Sequence, residues 1–228
     1  MRVDVAFTPA EARRAPVTIV VDVLRATSTI AQALASGYRR VLCCGEIEEA
    51  RELRERFDEA VLAGERRAEA IAGFDLGNSP REVTEPRGET LILTTTNGTR
   101  AIVAAAANAE VVLIGSLLNL EAVAVAAGRE AGGNVEIVCA GVEGRFTLDD
   151  AYCAGRLAAL LDGERSDSAE TAVRLTASFA GAEEALRAAE NPRLEALGED
   201  IVWCARESVL EVVPRLAGLS GPAAEIVA

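Results

Sequence analysis

The stretch TIVVDVLRATSTI (residues 18–30) contains the change of pattern that decides the fold. It begins with a continuous run of β-branched residues, which is typical of a strand buried on both faces of a sheet. The run ends at Asp22 and Val23, and the polar residues from Arg25 to Thr29 begin a predicted helix. A buried strand that leads directly into a helix is the repeating unit of a parallel sheet.

Apolar runs of the same kind recur along the chain and alternate with helical patterns. Strands are predicted at residues 3–7, 18–23, 41–44, 60–63, 90–95, 111–115 and 135–140. The clearest helices are predicted at 46–57, 98–107, 120–131 and 149–161. The alternation predicts an α/β fold with a mostly parallel β-sheet sandwiched between helices.

The chain is predicted to form a single α/β domain over residues 1–228. An alternating β/α core (1–162) precedes a helix-rich C-terminal portion (163–228), in which a last strand is predicted at 209–213. Residues 64–86 show no regular pattern and include GFDLGNSP. A loop of that length is often functional.

Composition limits the chemistry. The chain carries a net charge of −13 and has a pI near 4.6, so its surface repels polyanions and no nucleic-acid partner is expected. It contains no histidine and no lysine, which excludes histidine relays, histidine-ligated zinc, Schiff bases and a Walker-A lysine. Carboxylates, hydroxyls, amides, thiols and arginines remain, and this set suits oxygen-ligated Mg²⁺.

The chain has the character of a cytoplasmic protein. Its cysteines are odd in number and lack the paired spacing of a zinc or redox site, so buried free thiols are expected. No apolar run approaches the roughly 20 residues of a membrane span, and no secretory signal is recognisable at the N-terminus. Apolar strips on the alanine-rich helices are consistent with a homodimer.

Two predicted strands end in polar residues that open a helix. Ligands of a parallel sheet gather beyond the carboxyl ends of its strands, and helix starts favour anions. Serine, threonine and asparagine are also ordinary helix caps, but two such ends, each with an arginine, favour a site for a small anionic phosphate ester. The candidate substrate-binding residues here are Arg25, Thr27, Ser28, Thr96, Asn97, Gly98, Thr99 and Arg100.

Acidic residues follow the predicted strands as well. Mg²⁺ prefers one or two carboxylates, with water and substrate phosphate completing its octahedral shell. Asp22, Asp75 and Glu143 are the candidate ligands from this reasoning, and Glu65 in GERR occupies an equivalent position. The predicted mechanism is hydrolysis by a metal-activated water.

Two covalent mechanisms remain open as alternatives. The segment CAGVEGR has the spacing of a thiolate loop, so Cys139 could be the nucleophile of a metal-independent phosphatase, although Glu143 would repel the phosphate. Asp22 could form a phospho-aspartate, but Leu24 stands where aspartyl-phosphate hydrolases place their second aspartate. A metal-activated water requires fewer missing groups.

The strings DVLRATST, GFDLGNSP, TLILTTTNGTR, VLIGS and CAGVEGRFTLDD stand in this order and closely resemble the 2-phosphosulfolactate phosphatase family. The likeness extends from about Val20 to Gly155. It implies a magnesium-dependent phosphatase that hydrolyses 2-phosphosulfolactate to sulfolactate and phosphate, a step towards coenzyme M. A non-catalytic protein that only binds a phosphorylated metabolite is the alternative from another class.

The resemblance also implies a set of site residues. The arginines would bind the phosphate, carboxylate and sulfonate groups of the substrate, because guanidinium groups bind oxyanions bidentately. The candidate catalytic residues are Asp22, Arg25, Glu143 and Arg145. The motifs also include the metal candidates Glu65 and Asp75 and the binding candidates Thr96, Asn97, Gly98 and Arg100, and they add Arg66 and Asn78 as binding residues.

Overall fold

The structure is a computed structural model that describes residues 1–190 and 197–228. Its strands are β1 (Arg2–Ala6), β2 (Ala15–Val21), β3 (Arg40–Cys44), β4 (Ala60–Arg66), β5 (Glu69–Ala70), β6 (Thr90–Thr94), β7 (Ala109–Gly115), β8 (Asn134–Cys139), β9 (Glu164–Arg165), β10 (Arg215–Ser220) and β11 (Ala223–Val227). Its α-helices are α1 (Ala26–Ser36), α2 (Ile47–Arg54), α3 (Gly98–Ala105), α4 (Leu120–Glu130), α5 (Leu148–Leu160), α6 (Asp167–Thr176), α7 (Ala182–Ala188) and α8 (Gly198–Cys204). Within the part of the chain that the structure describes, no helix is long and apolar enough to cross a bilayer.

The strands form one sheet in the order β5-β4-β6-β3-β11-β10-β7-β2-β8-β1-β9. Strands β4, β6 and β3 pair in parallel, and so do β7, β2, β8, β1 and β9. The antiparallel hairpin β10–β11 lies between these two groups, with β11 against β3 and β10 against β7. The predicted mostly parallel sheet is confirmed, and the C-terminal hairpin joins its two parallel parts.

Helices cover both faces of the sheet, as the continuous apolar strands require. In β3, Val41 and Cys43 belong to a buried cluster that includes residues of α1 and α3. The alternate residues Leu42 and Cys44 pack instead with residues of α2. Because successive side chains of a strand point to opposite faces, a strand covered on both sides is apolar at every position.

The predicted last strand at 209–213 is wrong. The N–H groups of Ser208 and Leu210 donate to the carbonyls of Leu117 and Leu118, each at 2.9 Å, in the turn before α4. The segment is therefore bound to that turn instead of to a sheet edge. The actual strands are β10 and β11, and the glycine and proline in their connection weaken the strand pattern in the sequence.

The prediction that residues 64–86 lack regular structure is wrong in part. Strand β4 extends to Arg66 and pairs with the two-residue β5, and a 3₁₀ helix covers Pro80–Val83. The loop packs on α1, where Thr29 Oγ1 donates to the carbonyl of Asn78 at 3.2 Å. Elements of two to four residues are too short to show periodicity.

Candidate active site

A cavity of about 210 Å³ lies at the carboxyl ends of the parallel strands. Its lining comes from the ends of β2, β4, β6 and β8 and the segments that follow them, from the GNSP loop (residues 77–80) and from the start of α5. Residues just after α7 and just before α8 also contribute. The cavity brings together seven of the predicted site residues: Asp22, Arg25, Glu65, Asn78, Thr96, Asn97 and Glu143. It also contains charged residues that the predicted set omits: Arg67, Asp149, Asp150 and Glu190.

Asp22 is held by the turn between β2 and α1. Its Oδ1 accepts a hydrogen bond from the N–H of Ala26 at 3.1 Å. Thr27 Oγ1 closes the turn, since it accepts from the N–H of Asp22 at 3.0 Å and donates to its carbonyl at 2.8 Å. The start of α3 packs directly against the Asp22 carboxylate, because a Cβ on Gly98 would lie 2.3 Å from Asp22 Oδ2. Gly98 is therefore a packing requirement of the Asp22 carboxylate.

The electrostatic environment of Asp22 is acidic. Burial raises the pKa of Asp22 to about 7, and the charges of Asp149 and Glu65 act in the same direction. The N–H of Ala26 and the charge of Arg25 oppose this rise. Without a bound cation, Asp22 therefore keeps its proton up to near-neutral pH.

Two aspartates in the first turn of α5 complete the acidic wall. Asp150 is buried, and it accepts from the N–H of Val23 and from the N–H of Gly141, each at 2.9 Å. It thereby ties the end of β2 to the end of β8. Burial, together with Asp149 and Asp22, raises the pKa of Asp150, and burial also raises the pKa of Asp149. Adjacent acids in a first helical turn after a strand, FTLDD, were the sequence signal for this pair.

Glu65 connects the turn after β4 to the end of β6. Its Oε1 accepts from the N–H of Thr96 at 2.8 Å, and its Oε2 accepts from the N–H of Ala68 at 2.5 Å. The next residue, Arg66, donates to the carbonyl of Gly45 at 2.8 Å and to Thr94 Oγ1 at 2.9 Å. Arg66 is therefore a structural bridge between β4 and the neighbouring strand ends, and the structure does not bring this predicted binding residue to the cavity lining.

Asn78 of the GNSP loop brings a buried amide to the cavity wall. The residue is 4% exposed, and its Oδ1 has no hydrogen-bond partner within residues 1–190 and 197–228. Buried polar atoms are almost always satisfied by protein, water or ligand. The amide oxygen is thus available to a bound donor or cation.

Arg25 enters the cavity from the turn after β2 and is held from behind by α8. Its guanidinium donates to Asp200 Oδ2 at 2.6 Å, and the side chains are only 11% and 8% exposed. Ser79 Oγ donates to the other oxygen, Asp200 Oδ1, at 2.6 Å. Asp200 is a residue that sequence reasoning missed, and no motif around it signals this role.

A tight turn after β8 carries Glu143 to the cavity. Val142 and Arg145 exchange backbone hydrogen bonds at 3.0 and 2.9 Å, and the residues between them, Glu143 and Gly144, have φ of 51° and 75°. The N–H of Glu143 donates to Asn97 Oδ1 at 3.2 Å. Arg145 is exposed and is absent from the cavity lining, so the structure does not bring it to the site as predicted.

Three predicted substrate-binding hydroxyls serve the backbone instead. Thr27 closes the Asp22 turn, Ser28 Oγ donates to the carbonyl of Val23 at 2.8 Å, and Thr99 Oγ1 accepts from the N–H of Thr95 at 3.1 Å. All three side chains are buried. Each hydroxyl is used within its own turn and none of the three residues lines the cavity, so the structure does not place them against a substrate.

Two further predicted residues lie away from the cavity. The carboxylate of Asp75 accepts from the N–H of Leu62 at 2.9 Å and pairs with the guanidinium of Arg54, so it braces β4 and is not placed to bind a metal there. Arg100 is exposed on α3 and pairs with Glu46 at 2.8 Å. Neither of these two side chains lines the cavity.

The structure disfavours Cys139 as a nucleophile. The residue is 1% exposed and does not line the cavity. Burial, with the neighbouring Asp150, raises the pKa of its thiol well above the usual range. A thiolate nucleophile needs the opposite environment, with nearby positive charge and access to solvent.

The described residues contain no set of three histidine, cysteine, aspartate or glutamate side chains arranged to bind a metal by themselves. The acids of the cavity are instead spread over its walls. Any divalent cation here would therefore share its coordination with other oxygen donors, such as an amide, water or substrate.

Comparisons with known proteins cover nearly the whole chain. A family model described as 2-phosphosulpholactate phosphatase matches residues 5–218, which include every residue that lines the cavity. A protein named 2-phosphosulfolactate phosphatase from Methanothermobacter thermautotrophicus is 41% identical over 199 residues, or 86% of this chain and 84% of that protein. A probable 2-phosphosulfolactate phosphatase from Caldanaerobacter subterraneus is 41% identical over 220 residues, or 87% of this chain and 86% of that protein. Another, from Thermus thermophilus, is 39% identical over 233 residues and covers 98% of both chains.

Proposed function

The chain belongs to the 2-phosphosulpholactate phosphatase family of phosphoric monoester hydrolases, and we propose that it converts 2-phosphosulfolactate, or a similar phosphorylated 2-hydroxy acid, to the hydroxy acid and phosphate. The observation that carries this proposal is the cavity itself. It combines an oriented arginine, a buried amide oxygen without a partner in residues 1–190 and 197–228, and several carboxylates at the carboxyl ends of parallel strands. Ligands of open α/β sheets bind at this edge.

We propose Mg²⁺ as the cofactor, because the donor set fits a hard divalent cation. The charge of Asp149 raises the pKa of Asp22, burial raises the pKa of Asp149, and the oxygen of Asn78 lacks a partner among the described residues. These three residues would hold the cation. Glu65 is less available, since its two oxygens already accept N–H groups. One or two carboxylates suffice, because water and the substrate phosphate supply the remaining ligands of Mg²⁺.

When bound, the cation would polarise the phosphoryl group and lower the pKa of a water molecule that attacks phosphorus. The protein's own contribution begins with Arg25, whose guanidinium binds phosphoryl oxygens and stabilises the charge that develops on them. Asp200 holds Arg25 in place before substrate arrives, so little reorganisation is needed. Asp150 fixes the distance between the ends of β2 and β8 through its two backbone hydrogen bonds.

The test is phosphate release from 2-phosphosulfolactate by metal-free protein, with and without added Mg²⁺. We expect activity only with the cation, and a loss of about 100-fold or more in kcat for Asp22→Asn and for Asp149→Asn. Cys139→Ser is the matched control and should keep wild-type activity. Phosphate release that persists after EDTA treatment and dialysis would refute the metal requirement.

The same assay separates the alternatives. Loss of activity in Cys139→Ser, together with inactivation by iodoacetamide, would indicate the cysteine mechanism. Binding of 2-phosphosulfolactate without phosphate release in the presence of Mg²⁺ would indicate a protein that only binds the metabolite. The cytoplasmic location and the homodimer expected from the sequence stay predictions.

A further inference from the structure

The cavity is rich in acid and contains few cations. Among the described residues, its lining includes two arginines, Arg25 and Arg67. Arg25 is already paired with Asp200. Arg67 forms no ion pair and no side-chain hydrogen bond with any residue in 1–190 or 197–228, and it is exposed to solvent. Of the two cavity arginines, Arg67 is therefore the one without an acidic partner in the described part of the chain.

The backbone that carries Arg67 is an unusual turn. Arg66 pairs with Glu69 across β4 and β5, which leaves Arg67 and Ala68 as the two turn residues. Their φ values are 55° and 62°, the left-handed pair of a type I′ turn, which strongly prefers asparagine and glycine. Residues with a Cβ occupy this conformation only where the surroundings enforce it.

Two cavity residues enforce the turn. The N–H of Arg67 donates to Thr96 Oγ1 at 3.2 Å, and the N–H of Ala68 donates to Glu65 Oε2 at 2.5 Å. Glu65 and Thr96 both line the cavity. The turn is therefore fastened to the cavity wall, and its first residue is an arginine at a position where the turn itself would favour asparagine or glycine.

The two arginines come from different parallel parts of the sheet. Arg25 follows β2, beside Asp22, whereas Arg67 follows β4, beside Thr96 at the end of β6. We propose that Arg67 binds the sulfonate group of the substrate while Arg25 binds the phosphoryl group. This inference rests on the proposed function and assigns the specificity of the same cavity. In this substrate the sulfonate on C3 stands beside the phosphate ester on C2, so two adjacent anionic groups can each take one arginine from a different wall of the cavity.

The experiment compares two phosphate esters, 2-phosphosulfolactate and 2-phospholactate, which differ by the sulfonate. The variants are Arg67→Met, which keeps much of the apolar stem, and Arg67→Lys, which keeps the charge. Arg51→Met on α2 is the matched control for the loss of one arginine. The Arg51 side chain is 55% exposed, and its one ion pair, with Glu48, is a long surface contact of 3.7 Å. Thermal unfolding of each variant reports whether the fold is intact.

We expect Arg67→Met to lower kcat/KM for 2-phosphosulfolactate by about 10- to 100-fold, mainly through KM, as for loss of one charge-assisted contact. The kcat/KM of Arg67→Met for 2-phospholactate should change by less than about twofold. Arg67→Lys should recover part of the lost kcat/KM for 2-phosphosulfolactate. Arg51→Met should match the wild type with both substrates. An equal loss with both substrates, or no loss with either, would overturn the inference.

Failure of the proposed function would look different. In that case the wild-type protein would release no phosphate from either ester in the presence of Mg²⁺. Calorimetric binding of 3-sulfolactate and of lactate to the wild type and to Arg67→Met would then test Arg67 alone. Preference for sulfolactate that Arg67→Met abolishes supports the assignment, and equal binding by both proteins refutes it.

Discussion

Replacing Asp200 with asparagine should loosen Arg25 and show how much the site depends on α8. Asp200 accepts from Arg25 and from Ser79, each at 2.6 Å. Asparagine keeps one amide oxygen, so one of the two bonds survives and the guanidinium loses its counter-charge. Loss of a charge-assisted hydrogen bond costs about 1.5–3 kcal/mol, and breaking a fully buried ion pair costs about 3–5 kcal/mol.

The structure places the expected loss in free energy of unfolding at the lower end, about 2–3 kcal/mol, because Arg25 still faces the carboxylates of the cavity. For a chain of this size, that corresponds to a fall in Tm of roughly 4–12 °C. In the phosphate-release assay, kcat/KM should fall at least about 10-fold, since Arg25 must then be ordered during the reaction.

The neighbouring residue supplies the control. Glu199 is 78% exposed and pairs with Arg81 on the surface, so Glu199→Gln should change the free energy of unfolding by less than about 1 kcal/mol. It should leave kcat/KM unchanged. If Asp200→Asn has the Tm and the KM of the wild type, the reasoning about Arg25 is wrong.

Three other perturbations test separate features. Gly98→Ala places a Cβ 2.3 Å from Asp22 Oδ2, so it should lower the free energy of unfolding by about 1–3 kcal/mol and lower kcat. Gly128→Ala, in open space on α4, should raise the free energy of unfolding by up to about 1 kcal/mol. Equal Tm values for the two variants would contradict this reasoning. For Asp22, with a folded pKa of about 7 against 3.8 in the unfolded chain, the folded state keeps a proton that the unfolded chain loses, so the metal-free protein should lose stability as pH rises from about 4 to 7. Denaturant titrations should show a smaller decline for Asp22→Asn, and parallel curves would refute the assignment. Burial and the charge of Asp4 raise the pKa of Glu136, so Glu136→Gln should raise Tm at pH 7 but not at pH 4; a lower Tm at pH 7 would count against it.

The parallel strands were predictable because their burial leaves a local record in the sequence. A strand such as β8 is apolar at successive positions, since both of its faces are covered. The positions of Asp22 and Glu143 followed from the same reasoning, because the residues after such strands meet at one edge of the sheet. The residues that line the cavity near strand ends were therefore accessible from sequence.

The C-terminal hairpin was not predictable in the same way. Strand β10 is partly exposed and contains a glycine, and the connection from β10 to the short β11 includes Gly221, so their local pattern is weak. They exist because β3 and β7 each offer an edge that β11 and β10 complete. Such pairing depends on distant strands, which no local pattern records.

The sequence by itself determined the α/β class, the strand ends that carry the site and, through the absence of histidine and lysine, a chemistry of carboxylates and arginines. Only the tertiary structure decided which of these groups reach the cavity. Arg66 and Arg67 are adjacent, yet the turn directs Arg66 to backbone carbonyls and leaves Arg67 at the cavity. The reason is physical: a side chain's partners, such as Arg54 for Asp75 or Asp200 for Arg25, come from segments far away in the chain, and sequence position alone does not specify them.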